Sequence, residues 1–155
     1  MITFTLNTGL LTASGFPLPL DAWLARYATP ERRLYVGTDS QQATGMTRFT
    51  TAIAAHEPGH GGTYAYVRFQ ERRIESLRER LQAEAWRSLE LALLVSQQLP
   101  GRSIIVHLDV NSDLRHRSGL FAPGLIGMVR AQGFAAEIKP RAFAASSLAD
   151  ALVRG

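Results

Sequence analysis

The chain has 155 residues, 46% of them hydrophobic and 19% charged, a balance that suits a folded domain with its own core. It contains no cysteine, which excludes a disulfide framework and any thiolate metal site. The formal net charge is +4, and 16 of the 17 basic residues are arginine, an excess that a GC-rich genome also explains; arginine's planar fork pairs with phosphate, and a basic protein attracts a polyanion.

No uncharged apolar run approaches the ~20 residues needed to span a bilayer. The N-terminus lacks a basic stretch followed by an apolar one, so no signal peptide is read there. The expectation is a cytoplasmic protein with no membrane partner.

Residues 1–12 begin with alternation, Ile2, Phe4 and Leu6 against Thr3, Thr5 and Asn7, which predicts a strand or extended arm. Residues 15–19 read as a turn. Asp21 is placed to cap a short helix over 22–27, which ends before Pro30.

Residues 33–39 (RLYVGTD) form the first core strand and 40–46 a polar turn. Residues 47–55 and 63–70 are two further strands around a loop at 56–62. Short connections favour antiparallel neighbours, so these three strands form a meander.

One long helix runs over 72–98 and is closed by Pro100-Gly101. Residues 102–110 form a fourth strand, parallel to the first because a helix crosses between them. A second helix starts at Leu114 or Gly119, runs to Gln132 and stops at Gly133. A fifth strand covers 134–139 and a last helix 146–154. The order describes one α/β domain over 1–155. Its mixed five-stranded sheet is flanked by helices, and 1–32 is a lead-in.

Four acids stand out. Asp39 ends the first core strand and Asp109 ends the fourth, and ligands of open α/β sheets bind near the carboxyl ends of strands. Either aspartate alone is also explained by a turn with the following loop. Glu84 lies on the midline of the long helix's apolar stripe with Ile74, Leu77, Leu81, Ser88, Leu91, Leu94 and Val95, while Glu75, Glu79 and Glu90 lie on the far side. A carboxylate on that stripe needs compensation, from a cation or an arginine. Asp150 fits a capping box with Ser147 and can serve as a fourth ligand as well.

Four carboxylates in one place repel unless divalent cations hold them, and two ions about 3.5–4 Å apart serve phosphodiester cleavage. Oxygen donors suit Mg²⁺ or Mn²⁺. The expected ligands and catalytic residues are Asp39, Glu84, Asp109 and Asp150, with Asp39 bridging the ions.

The stretches GTDSQ (37–41), TRF (47–49), HLDVN (107–111), GF (133–134) with IKP (138–140), and AASSLAD (144–150) resemble the ribonuclease H-like superfamily. The closest resemblance is to its small bacterial YkuK-type proteins. It covers about 33–152, leaving 1–32 outside the superfamily core. It implies strand order 3-2-1-4-5, the four acids in the four catalytic places, and Mg²⁺- or Mn²⁺-dependent hydrolysis of RNA, an RNA–DNA hybrid or structured DNA.

Ser40, Gln41 and Asn111 beside the aspartates, and Arg115 and Arg117 after them, are candidate substrate contacts. Ser112 and Asp113 could instead cap the following helix. His56 and His60 flank a Pro-Gly pair that prevents a helix, so they read as solvated, with His60 as an option for proton transfer. His107, Tyr64 and Tyr66 read as sheet packing. The competing class is a catalytically silent nucleic-acid-binding adaptor; a phosphotransferase ranks third for want of a Gly-rich nucleotide-binding turn. A homodimer stays open, with the N-terminal segment as the place for its interface.

Overall fold

The computed structural model describes residues 3–111, 113, 115 and 117–139. Its elements in order are β1 (Gly9–Thr12), β2 (Pro17–Pro19), α1 (Leu20–Tyr27), β3 (Arg33–Ala43), β4 (Met46–Glu57), β5 (Gly61–Arg72), α2 (Leu77–Gln98) and β6 (Ile104–Asn111). A short 3-10 helix (Arg117–Phe121), α3 (Ala122–Ala131) and β7 (Ala135–Lys139) follow. The expected helix over 146–154 lies outside the described residues.

The strands form one sheet in the order β2-β1-β5-β4-β3-β6-β7. Its last five positions are the expected five strands in the expected order, β3 being the first of them. β3 pairs antiparallel with β4 and parallel with β6. The strand count is corrected from five to seven. The N-terminal segment, read as an arm and a turn, folds into the β1–β2 hairpin and joins the edge of β5 at Leu11↔Tyr66 and Thr12↔Ala65.

Three boundaries also move. The polar stretch 40–46 is mostly strand, because β3 and β4 stay paired out to Ala43↔Met46 and Gly45 (φ +71°) lets the chain reverse in two residues. The β4–β5 ladder likewise runs from Glu57↔Gly61 to Met46↔Arg72, so α2 begins at Leu77 rather than 72. Ser76 caps it, accepting from the Glu79 amide at 3.3 Å, a contribution of about 1 kcal/mol. Asp21 sits in the first turn of α1 rather than at its cap, which is Pro19. Gly133 (φ +89°) ends α3 as expected.

Side chains alternate across the sheet. Leu34, Val36, Ile53, Ala55, Ala65, Val106, Leu108 and Val110 share one core with the buried residues of α1, α2 and α3. Each fully buried Leu, Ile or Val there stabilises by about 1.5–3 kcal/mol. Tyr35 and Ala54, with Tyr64 and Ile105, cluster on the opposite face. This division decides which way the site residues point.

Candidate metal centre

β3 and β6 run side by side only as far as Gly37↔His107. Asp39 and Asp109 each lie two residues beyond that last pair, at matching positions on parallel strands. Glu84 faces the same place from α2, because the apolar residues around it hold this side of the helix against the sheet. Donor oxygens of Asp39, Glu84 and Asp109 all lie within 4.8 Å of one another. Glu84 is buried, at 7% exposure, and the two aspartates are half-buried.

Neighbouring hydroxyls fix these carboxylates. Ser40 Oγ donates to Glu84 Oε2 at 2.6 Å, and the Ser40 amide donates to Asp39 Oδ1 at 2.9 Å. One turn along α2, Ser88 shares a buried hydrogen bond with Thr38 at 2.8 Å, and Thr38 another with Thr51 at 2.9 Å. This hydroxyl chain ties α2 to β3 and β4 directly behind the site. Polar residues on an otherwise apolar helix face are the signal that could have revealed it.

Burial, above all, pushes the Glu84 carboxyl well above the usual carboxylate range. The charges of Asp39 and Asp109 push the same way, while the Ser40 hydroxyl and the Arg80 guanidinium pull it back. A buried Glu84 carboxylate beside two more carboxylates calls for a compensating charge. The donors are all oxygen, and a hard divalent cation such as Mg²⁺ or Mn²⁺ fits them.

Ser40 contacts Glu84, so its hydroxyl acts within the acid cluster. Gln41 is exposed on the same sheet face as Asp39. Asn111 ends β6. Arg115 is bound to Asp113, with Nη2 to Oδ2 at 2.6 Å and Nε to the same oxygen at 2.9 Å. Arg117 is exposed at the start of the 3-10 helix. Asp150, Ser112 and His116 lie outside the described residues.

His107 is fully buried on β6, its Nε2 2.9 Å from Glu137 Oε2 on β7 and its ring 4.9 Å from that of Tyr35. Desolvation lowers its pKa, and Glu137 offsets part of that. His56, read as a loop residue, is a half-buried strand residue of β4 paired with Arg33 and Gly62, and His60 is exposed in the β4–β5 turn, where its amide donates to the Glu57 carbonyl at 2.9 Å. Arg87, which the sequence reading passed over, is buried on α2 and pairs with Glu71 on β5 and with Glu90. Its i,i+3 spacing from Glu90 was the available signal.

A mixed sheet of this order, with carboxylates gathered where the parallel strands β3 and β6 part, defines an α/β fold with an acidic site between strand ends and helix. The family model described as Ribonuclease H-like matches residues 20–154, and the chain belongs to that family. The family supports a nuclease-like or nucleic-acid-binding function. Among solved structures, that of RNase H1 from the halophilic archaeon Halobacterium salinarum NRC-1 is similar. It shares 21% identity, with 79% of this chain and 99% of that one covered and a TM-score of 0.39. No curated protein sequence matches the chain. No helix among the described residues is long and apolar enough to cross a membrane.

Proposed function

We propose that the protein is a Mg²⁺- or Mn²⁺-dependent nuclease that hydrolyses phosphodiester bonds by a two-metal-ion mechanism. The observation that carries this reading is the convergence of Asp39, Glu84 and Asp109 within 4.8 Å just past the point where the parallel strands β3 and β6 stop pairing. These three residues would hold the ions, joined by Asp150 as the proposed fourth ligand. When bound, such ions supply Lewis acidity at the scissile phosphate and at the attacking and leaving oxygens.

The chain's own part is positioning and charge control. Ser40 turns Glu84 toward the cluster and lowers the cost of its charge. The Thr51–Thr38–Ser88 hydroxyls hold α2 at a fixed height over β3, so Glu84 stays in reach of both aspartates. The carboxylates act as ligands and do not attack the phosphorus.

A cleavage assay tests the proposal. Single-stranded, double-stranded, hybrid and branched substrates are incubated with Mg²⁺ or Mn²⁺, with Asp39→Asn and Asp109→Asn as controls. Cutting that requires the metal and that both substitutions abolish is the expected result. If the protein binds these nucleic acids but cuts none, the adaptor function replaces the nuclease.

A further inference from the structure

A groove of about 390 Å³ opens beside the acid cluster, on the sheet face that Asp39 shares. The strand registers show how it is built. Asp39 pairs with Thr50 and Thr50 with Arg68, making one row across β3, β4 and β5. Gln41 pairs with Arg48 and Arg48 with Gln70, making the next row on the same face. All six residues line the groove. Gln41, Arg48, Arg68 and Gln70 are exposed, and Thr50 is half-buried.

The charge pattern is directional. The groove starts at a carboxylate of the proposed centre and continues over two guanidiniums flanked by amides. Arg48 and Arg68 are diagonal neighbours on adjacent antiparallel strands, which puts their backbone positions about 7–8 Å apart. Two long side chains rooted that close together on one face can reach neighbouring phosphates of a single strand. Arg68 also lies over the Tyr66 ring, 5.1 Å from its centre, which supports the guanidinium from beneath.

The size selects the ligand. Its volume is at the small-ligand end of the scale, room for nucleotides of one strand rather than for the cross-section of a duplex. One or two nucleotides of an unpaired strand fill it.

We infer that this groove is a binding site for an unpaired nucleic-acid strand, with Arg48 and Arg68 gripping successive phosphates next to the scissile one. The assignment rests on the nuclease reading and narrows its substrate to nucleic acid that is single-stranded where it meets the site. Gln41 and Gln70 offer amides to the sugars or base edges.

Fluorescence anisotropy of the full chain tests it, with Ca²⁺ replacing Mg²⁺ and KCl varied. The probes are labelled 12-nucleotide oligo(dT) and oligo(rU) and a blunt 12-base-pair duplex. The variants are Arg48→Ala, Arg68→Ala and Arg48→Lys, with Arg130→Ala on the last turn of α3 as a charge control. Tighter binding of the single strands than of the duplex is expected. Each groove alanine should weaken single-strand binding about five- to tenfold and lower the slope of log K against log salt by about 0.7. Arg48→Lys should keep the slope, and Arg130→Ala should change little.

Unchanged slopes in both groove alanines, a loss of the same size in Arg130→Ala, or tighter duplex binding would each overturn the assignment. The same variants in the cleavage assay separate the two proposals. If the protein cuts nucleic acid and both alanines keep the wild-type KM, the groove falls and the nuclease stands. If the groove variants lose single-strand binding while the wild type cuts nothing, the groove stands and the catalysis falls. If the wild type binds no strand, both fall.

Discussion

Ser40 on β3 donates its hydroxyl to Glu84 on α2 at 2.6 Å, and its amide to Asp39 at 2.9 Å. One residue thus sets the orientation of two carboxylates on different elements. Partners that orient metal ligands typically change affinity 10–100-fold when removed. Ser40→Ala should therefore weaken Mn²⁺ binding about tenfold, measured by calorimetry, with only a small change in melting temperature. An unchanged affinity would show that the hydroxyl is incidental.

The raised pKa of Glu84 makes a pH prediction with a definite sign. The folded state holds this proton more tightly than the unfolded state, whose carboxyl titrates near 4.5. Its contribution to stability is therefore full below that value and is lost as pH rises toward the folded pKa. In EDTA the protein should melt lower at pH 8 than at pH 5.5, and Glu84→Gln should remove most of that part of the difference. Added Mn²⁺ should restore the wild type at pH 8 and leave Glu84→Gln nearly unaffected. Melting curves on the two proteins decide this, and an equal Mn²⁺ shift in both would sink it.

Arg87 is 4% exposed and holds Glu71 of β5 and Glu90 of its own helix. Removing one partner of a buried pair costs about 3–5 kcal/mol, and 1 kcal/mol shifts the midpoint of a chain this size by about 2–4 °C. Arg87→Ala should lower the melting temperature by about 10 °C. A drop of only a degree or two would mean that solvent reaches the pair.

Gly62 follows the β4–β5 turn. A Cβ there would come 2.5 Å from the Ala55 carbonyl oxygen and 3.0 Å from the His56 Cα, both backbone atoms that cannot swing aside. Gly62→Ala should destabilise by about 1–3 kcal/mol, the usual cost of forced overpacking, while leaving Mn²⁺ affinity intact. Urea unfolding checks the first part and calorimetry the second.

Much of this arrangement was legible in the sequence because it follows from local rules. Short links made β3, β4 and β5 antiparallel, and the α2 crossover made β6 parallel, which brings Asp39 and Asp109 to matching positions on neighbouring strands. Glu84 was visible because a helix wheel needs only helical periodicity. Pairing partners were harder. Residues 40–46 look like a turn by composition and become strand only because β4 offers a ladder to Ala43. Pro17–Pro19 looked like a turn for the same reason, until β1 supplied its neighbour. The Arg48–Arg68 groove depends on the register of three strands, and composition carries no register. Asp150 lies outside the described residues, so its place among the ligands rests on the proposal alone.

The prolines of β2 have a consequence for how copies of this chain meet. β2 is one of the two outer strands, and its hydrogen bonds to β1 run through the positions in phase with Leu18, which pairs with Leu10. Alternation turns the backbone nitrogens of Pro17 and Pro19 outward, and neither carries a hydrogen. That rim offers carbonyl acceptors without matching donors, so an incoming strand cannot complete a ladder along it. The hairpin works as an end-stop that the sheet builds for itself, and it should keep a basic, strand-rich protein from polymerising along this margin at high concentration.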